Sequence, residues 1–310
     1  MRNVIIDCDP GHDDAIAILM AIANSDKINI KGITTVGGNH ILEKITDNAL
    51  KILSLVNEDI KLAKGAKGPL FRKLETGANE HGDSGMDGPI MDPPKYKPIE
   101  KSAIEFMREI ICNSKEKITL VPIGPLTNIA ILFKTYPEVK ENIELISLMG
   151  GGVRVGNVTP MAEFNIYVDP EAAKIVFDSG IPIVMSGLDV THKALIYFDE
   201  IDKLKEGGKV SRVVGELLDF YSLFSKKHGF KGSALHDPCA IAYLLQPELF
   251  KYKELFVDVE TKGELTRGMT VADNRLNSYV NPNVRVLLDV DRDKFVNIIF
   301  QALEKLDKRF

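Results

Sequence analysis

The strongest constraint on this chain is an alternation through its first 190 residues: short apolar, β-branched runs take turns with segments of helical period. Strands are predicted at residues 2–8, 28–36, 117–123, 143–149 and 182–186, with a short apolar piece near Leu62. Helices are predicted between them at 13–23, 41–56, 99–112, 126–136 and 170–179. The strand runs are continuously apolar rather than alternating, so both of their faces are covered, which is the mark of parallel βαβ units. The expected fold is therefore α/β: a mostly parallel central sheet with helices on both faces, a Rossmann-like open sheet. Beyond residue 190 come helices at 210–228 and 238–245, antiparallel-looking strands at 252–261, 265–273 and 284–289, and a closing helix at 292–306. A length of 310 residues allows one large domain or two ordinary ones. No repeat, low-complexity tract or linker divides it, so residues 1–310 are read as one domain.

Composition narrows the class. Hydrophobic residues at 45% and charged residues at 27% are those of a globular protein. A net charge of −5 gives no electrostatic reason to expect nucleic acid or an anionic membrane as partner. The longest apolar run, residues 15–23, is too short to cross a bilayer. The first strand begins at once, leaving no room for a signal peptide, and the three cysteines show no CxxC spacing. Reduced thiols in a cytoplasmic protein are the expectation, with Cys8 and Cys239 as packing residues.

The first strand runs into "VIIDCDPGHDDAIAIL", residues 4–19, which carries Asp7, Asp9, Asp13 and Asp14. Strand alternation places Asp7 and Asp9 on one side and Cys8 on the other. Pro10-Gly11 turns the chain, and Asp13 and Asp14 fall in the first helical turn, where the helix dipole favours negative charge. A solvated acidic helix start explains Asp13 or Asp14 singly. It does not explain acids at the end of a buried strand, where an uncompensated charge costs several kcal/mol. Ligands of open α/β sheets gather at that strand end, and a hard divalent cation held through oxygens removes the repulsion.

Other stretches point to the same place. In "HDP", residues 236–238, Asp237 reads as a helix cap ahead of Pro238. Beside a metal it becomes a further ligand, with His236 aimed into the same cavity and suited by its near-neutral pKa to give a proton. "NVTPMAEFN", residues 157–165, offers Asn157, Glu163 and Asn165, amide and carboxylate groups of the kind that bind sugar hydroxyls, and Phe164 beside them as a further substrate-binding candidate. The long Gly/Pro-rich stretch 65–98 reads as a lid or binding loop carrying His81. In "GPLTNIA" the strand before Pro125 ends at Ile123, whose carbonyl could coordinate a cation. On the helix "LLDFYSLFSKKHGF" the inward candidates are Phe220, Phe224 and His228.

Taken together these blocks resemble the nucleoside hydrolases, the calcium-dependent N-ribohydrolases of the inosine–uridine type. The DCDPGxDDA signature is complete at residues 7–15, followed in order by "GGN" ending at Asn39, "HGDSG", "GPLTNIA", "MGGG", "EFN" and "HDP". The resemblance implies Ca²⁺ held by Asp9, Asp14, Asp237 and the Ile123 carbonyl. It implies ribose hydroxyls bound by Asp13, Asn39, Asn157, Glu163 and Asn165. It makes Asp9 the general base on a metal-bound water, His236 the donor to the departing base, and His81 the histidine of the loop over the base. It also implies a homo-oligomer, dimer or tetramer, working in nucleoside salvage. The chemistry agrees, since N-glycosidic cleavage passes through an oxocarbenium-like sugar that carboxylates stabilise. The phosphate-cradling GxxxxGK[ST] pattern is absent, as suits a nucleoside rather than a nucleotide. Two competing readings are a catalytically silent nucleoside-binding protein and a Mg²⁺ phosphohydrolase; the Asp13-Asp14 pair fits the latter poorly.

Overall fold

The computed structural model describes residues 1–227, 229–275 and 280–310, without the side chains of Asn79 and Phe224. The first six strands are β1 (Arg2–Cys8), β2 (Ile28–Thr35), β3 (Leu62–Lys64), β4 (Ile118–Pro122), β5 (Ile143–Met149) and β6 (Ile183–Ser186). The others are β7 (Leu195–Tyr197), β8 (Gly232–Ala234), β9 (Phe250–Leu255), β10 (Val257–Val259), β11 (Thr270–Ala272) and β12 (Val284–Val290). Eight of them form one sheet in the order β3-β2-β1-β4-β5-β6-β12-β9, and every pair in it is parallel except β12 with β9. Two small antiparallel pairs, β10–β11 and β7–β8, stand apart from it.

Period-two alternation explains how a wholly buried strand feeds two cores. From β1, Val4, Ile6 and Cys8 enter a core with helices α1 (His12–Ala23), α10 (Lys209–Lys227), α11 (Pro238–Leu245) and α12 (Arg292–Asp307). Ile5 enters the opposite core with α4 (Ala103–Asn113), α5 (Thr127–Thr135) and α7 (Pro170–Phe177). Helix α1 is buried from His12 to Ala23, which is why its sequence is apolar on nearly every face. Among the described residues no helix is long and apolar enough to cross a membrane.

The C-terminal region departs from the sequence reading in two ways. Residues 284–289 are not confined to an antiparallel arrangement: β12 pairs in parallel with β6 and antiparallel with β9, carrying the main sheet onward. Burial of Val284, Val286 and Leu287 makes it a core strand, and alternation alone cannot tell its direction. The strand expected at 252–261 is two, β9 and β10, which belong to different sheets, and that expected at 265–273 shrinks to β11. Gly268, at φ +82°, closes the turn that consumes the rest.

The connections place the site. The chain leaves β1 for β2 and β3 on one side, then returns to β4 and runs through β5 and β6 on the other. The order reverses between β1 and β4, and such a switch point opens a crevice at the strands' carboxyl ends. Asp9 and Ile123 follow those two strands directly. The long stretch 65–98 holds the short helix α3 (Ala78–His81) and is tied down by Asp169, whose carboxylate accepts the Leu70 N–H at 2.9 Å and the Thr127 hydroxyl at 2.7 Å.

Candidate active site

The four acids of the signature divide into different tasks. Asp7 turns away from the crevice: its Oδ1 accepts the Thr34 hydroxyl at 2.5 Å and the Asn128 amide at 2.7 Å, tying β2 and α5 to β1. Burial pushes its carboxyl up to about 7. Asp9 lies past the end of β1 with no exposed surface; its Oδ2 accepts the Asn39 N–H at 2.7 Å. Its Oδ1 is buried with no hydrogen-bond partner among the described residues. Only glycine fits around it, because a Cβ on Gly38 would lie 2.1 Å from Asp9 Oδ2 and one on Gly124 2.5 Å from Oδ1. Asp14 accepts the Asp9 N–H at 3.2 Å and the Gly11 N–H at 3.0 Å, which satisfies two donors at the head of α1.

Asp237 arrives from 223 residues downstream of Asp14, at the head of α11, and its side chain makes no capping hydrogen bond. The helix-cap reading therefore does not account for it. It lies beside Asp13, whose Oδ2 accepts the backbone N–H of His236 at 3.1 Å. Carboxylate oxygens of Asp13, Asp14 and Asp237 all fall within 4.8 Å of one another, and all three residues are buried. Desolvation, then mutual repulsion, holds Asp9 and Asp237 well above the usual carboxylate range and brings Asp14 to about 7. The three-acid group so formed contains Asp13, with Asp9 adjoining it through Asp14. An all-oxygen donor set of this density, with an orphaned buried oxygen beside it, fits a hard divalent cation.

The second wall is amide and carboxylate. Glu163, buried, caps the short helix α6 (Phe164–Val168); its oxygens accept the N–H groups of Gly151 at 2.8 Å, Asn165 at 2.9 Å and Ile166 at 3.2 Å. Burial raises it to about 7 in spite of those bonds. Asn165 Nδ2 donates to the carbonyls of Ile123 at 3.0 Å and Met149 at 3.2 Å, binding β4 to β5 at their ends. Asn157, exposed at the rim, accepts the Phe164 N–H at 3.0 Å. Asn39 spans the first wall: besides its backbone bond, its Nδ2 donates to the Asp9 carbonyl at 3.1 Å.

The third wall carries histidines. His236 Nδ1 lies 2.8 Å from the Thr191 hydroxyl, and desolvation, aided by His192, pushes the ring down to about 3. This corrects the expectation of a ring poised near neutral pH: the cavity wall keeps His236 uncharged. His81 is buried, its Nδ1 lying 3.0 Å from His12 Nδ1, and desolvation lowers it to about 3. The turn before α1 permits this contact, since a Cβ on Gly11 would lie 2.4 Å from His81 Nδ1.

These walls enclose a cavity of about 260 Å³, lined among others by Asp13, Asn39, His81, Ile123, Glu163, Phe164, Asn165, His236 and Asp237. A larger, more open cleft of about 1010 Å³ at the amino ends of the strands contains none of these groups. One sequence-based assignment on α10 changes. Phe220 stacks on His12 at 5.4 Å between ring centres, whereas the cavity is lined by its neighbour Tyr221. The Phe224 side chain and His228 lie outside the described residues. Tyr221, Thr191 and His12 were not anticipated. His12 alone had a signal, its place inside the acidic signature.

A family model described as inosine-uridine preferring nucleoside hydrolase matches residues 4–297. The chain belongs to that family. It is 49% identical to the pyrimidine-specific ribonucleoside hydrolase RihA of Escherichia coli O81 (strain ED1a) over 305 residues, 97% of this chain and 98% of that one. It is 51% identical to the protein of the same name from Photobacterium profundum, over 97% of this chain and 98% of the relative. Among solved structures, the purine-preferring ribonucleoside hydrolase from Gardnerella vaginalis superposes with a TM-score of 0.92 at 33% identity, covering 100% of both chains. The plant nucleoside hydrolase PpNRh1 superposes at 0.89 with 30% identity, over 98% of this chain and 99% of that one. This nucleoside hydrolase is thus an N-glycosidase acting on ribonucleosides, with the acidic cluster of a metal-dependent family at its strand ends.

Proposed function

We propose that the enzyme is a Ca²⁺-dependent ribonucleoside hydrolase of nucleoside salvage that prefers pyrimidine nucleosides. The observation that carries the metal is the orphaned Asp9 Oδ1 buried beside the Asp13–Asp14–Asp237 group. Asp9, Asp14, Asp237 and the Ile123 carbonyl would hold the ion. When bound, calcium supplies charge neutralisation, an anchor for sugar hydroxyls and acidification of water. The pyrimidine preference rests on the relatives at 49% and 51% identity, both named for that specificity.

In this reading Asp9 takes the proton of the attacking water. Asn39 pins one of its oxygens, the other has no partner among the described residues, and its high proton affinity suits a base. Asp13, Asn39, Asn157, Glu163 and Asn165 bind the ribose hydroxyls. Glu163 is held rigid by three backbone N–H groups, so it can face a developing sugar cation without reorganising. His236 stands at the departing base, oriented by the Thr191 hydroxyl 2.8 Å from its Nδ1, and assists the base in leaving. Residues 1–310 act as one catalytic domain, a reading supported by a sheet that takes strands from residue 2 to residue 290. Buried Cys8 and Cys239 support a cytoplasmic setting, and the family supports a homo-oligomer, dimer or tetramer.

Incubation with uridine, cytidine and inosine, with excess Ca²⁺ or with chelator, tests the reading through released ribose. Calcium-dependent release, fastest from the pyrimidine nucleosides, is expected. No ribose from any of them in excess Ca²⁺ would overturn it.

A further inference from the structure

The histidine of the signature, His12, does not line the cavity, yet it is completely buried. Its Nε2 lies 2.7 Å from the backbone carbonyl of Asp87. A carbonyl can only accept, so His12 Nε2 carries a hydrogen. Neither ring nitrogen faces a carboxylate, and the buried ring is packed between Phe220 and Tyr221, so it is neutral and its Nδ1 is a bare lone pair. That lone pair lies 3.0 Å from His81 Nδ1, so His81 must donate there. His81, neutral for the same reason, then has no hydrogen on Nε2. Among the described residues none bonds that nitrogen, and His81 lines the cavity.

The relay is held at both ends. His12 stacks against His81 at 5.3 Å and 21°, against Phe220 at 5.4 Å and 7°, and against Tyr221 at 5.4 Å and 17°. Tyr221 also stacks on His81 at 5.8 Å. The turn that presents the Asp87 carbonyl is closed by the Asp87 carboxylate, which accepts the N–H groups of Asp83 at 2.9 Å and Ser84 at 3.0 Å.

We propose that His12 is a positioning residue: through Asp87 it fixes the tautomer of His81 so that His81 Nε2 accepts a hydrogen bond from the nucleobase. The matching chemistry is a base edge with an N–H donor, such as the imide of uracil or the lactam of hypoxanthine. His81 is then a recognition group and not a source of protons. This inference rests on the nucleoside-hydrolase reading of the cavity above. A site built to bond an N–H discriminates against a substrate lacking it, because its acceptor is left unpaired.

The test uses the holoenzyme with uridine, whose base carries the N–H, and with p-nitrophenyl riboside, whose leaving group does not. His12→Phe keeps a ring between Phe220 and Tyr221 and removes both nitrogens. It should lower kcat/KM on uridine about tenfold or more, the worth of one hydrogen bond, mainly through KM. Its activity on p-nitrophenyl riboside should stay within about threefold. His12→Gln, whose amide can give to Asp87 and accept from His81, should restore most of the uridine activity. Nitrogen-15 NMR of the His81 ring provides a readout independent of turnover: hydrogen on Nδ1 and none on Nε2 in the native enzyme. Hydrogen on Nε2, or equal losses on both substrates in His12→Phe, would overturn the inference. If the native enzyme cleaves neither substrate, the activity reading fails, and the His81 tautomer still decides the relay.

Discussion

Stripping divalent cations from this enzyme should make its stability fall as pH rises from 5 to 8. The cause is a set of buried carboxyls whose folded-state proton affinity is raised. Asp14 moves from 3.8 to about 7 and Glu163 from 4.5 to about 7, with burial as the first cause in both. The folded state then retains protons that the unfolded chain has already released, so each rise in pH through that window favours unfolding. The full penalty for Asp14, reached above pH 7, is on the order of 4 kcal/mol at 1.36 kcal/mol per unit. The step from pH 5 to 8 contains about two units of it, on the order of 3 kcal/mol from Asp14 alone. A cation bound by the ionised form removes the penalty, and its effect grows with pH because the ligands must be deprotonated. Urea unfolding followed by circular dichroism, in chelator and in excess CaCl₂ at pH 5, 6.5 and 8, measures both trends. Chelated stability that stays flat or rises across this range, or a calcium increment equal at pH 5 and 8, would refute the electrostatic argument.

Three substitutions probe the site further. Asp9→Asn should abolish turnover, by about 10³-fold or more if it is the base, while circular dichroism shows the fold retained. His236→Ala should lose far more rate on uridine than on p-nitrophenyl riboside, whose leaving group needs no proton; equal losses would remove it from leaving-group assistance. Asn128→Ala deletes one of the two donors to the buried Asp7 carboxylate and the acceptor of the Ala66 N–H, and should cost about 1–3 kcal/mol in urea unfolding. A loss below about 0.5 kcal/mol in that measurement would mean that Asp7 finds another partner.

Much of the architecture was legible because burial writes itself locally. A run such as residues 2–8, apolar on both faces, can be stable only between two layers of helices, and successive runs of that kind impose a parallel sheet. The antiparallel reading of 284–289 holds for its neighbour β9 and misses the parallel neighbour β6, because the pattern of one strand records how much of it is buried, not which strands it pairs with. The choice of Phe220 over Tyr221 failed for a related reason. Both stack on His12, and of the two Tyr221 is the one that lines the cavity, an outcome of packing across space rather than of spacing along the helix.

By itself, then, the order of amino acids determined the layered α/β plan, the acid-rich strand end and the family to which its motifs point, since each depends on residues adjacent along the chain. Tertiary structure alone decided that Asp7 serves the scaffold, that Asp13 stands in one group with Asp14 and Asp237, and that two histidines 69 residues apart share a hydrogen. The physical reason is that desolvation and hydrogen-bond direction belong to groups brought together through space. The crossing between β1 and β4 does the gathering, and no spacing along the chain reports it.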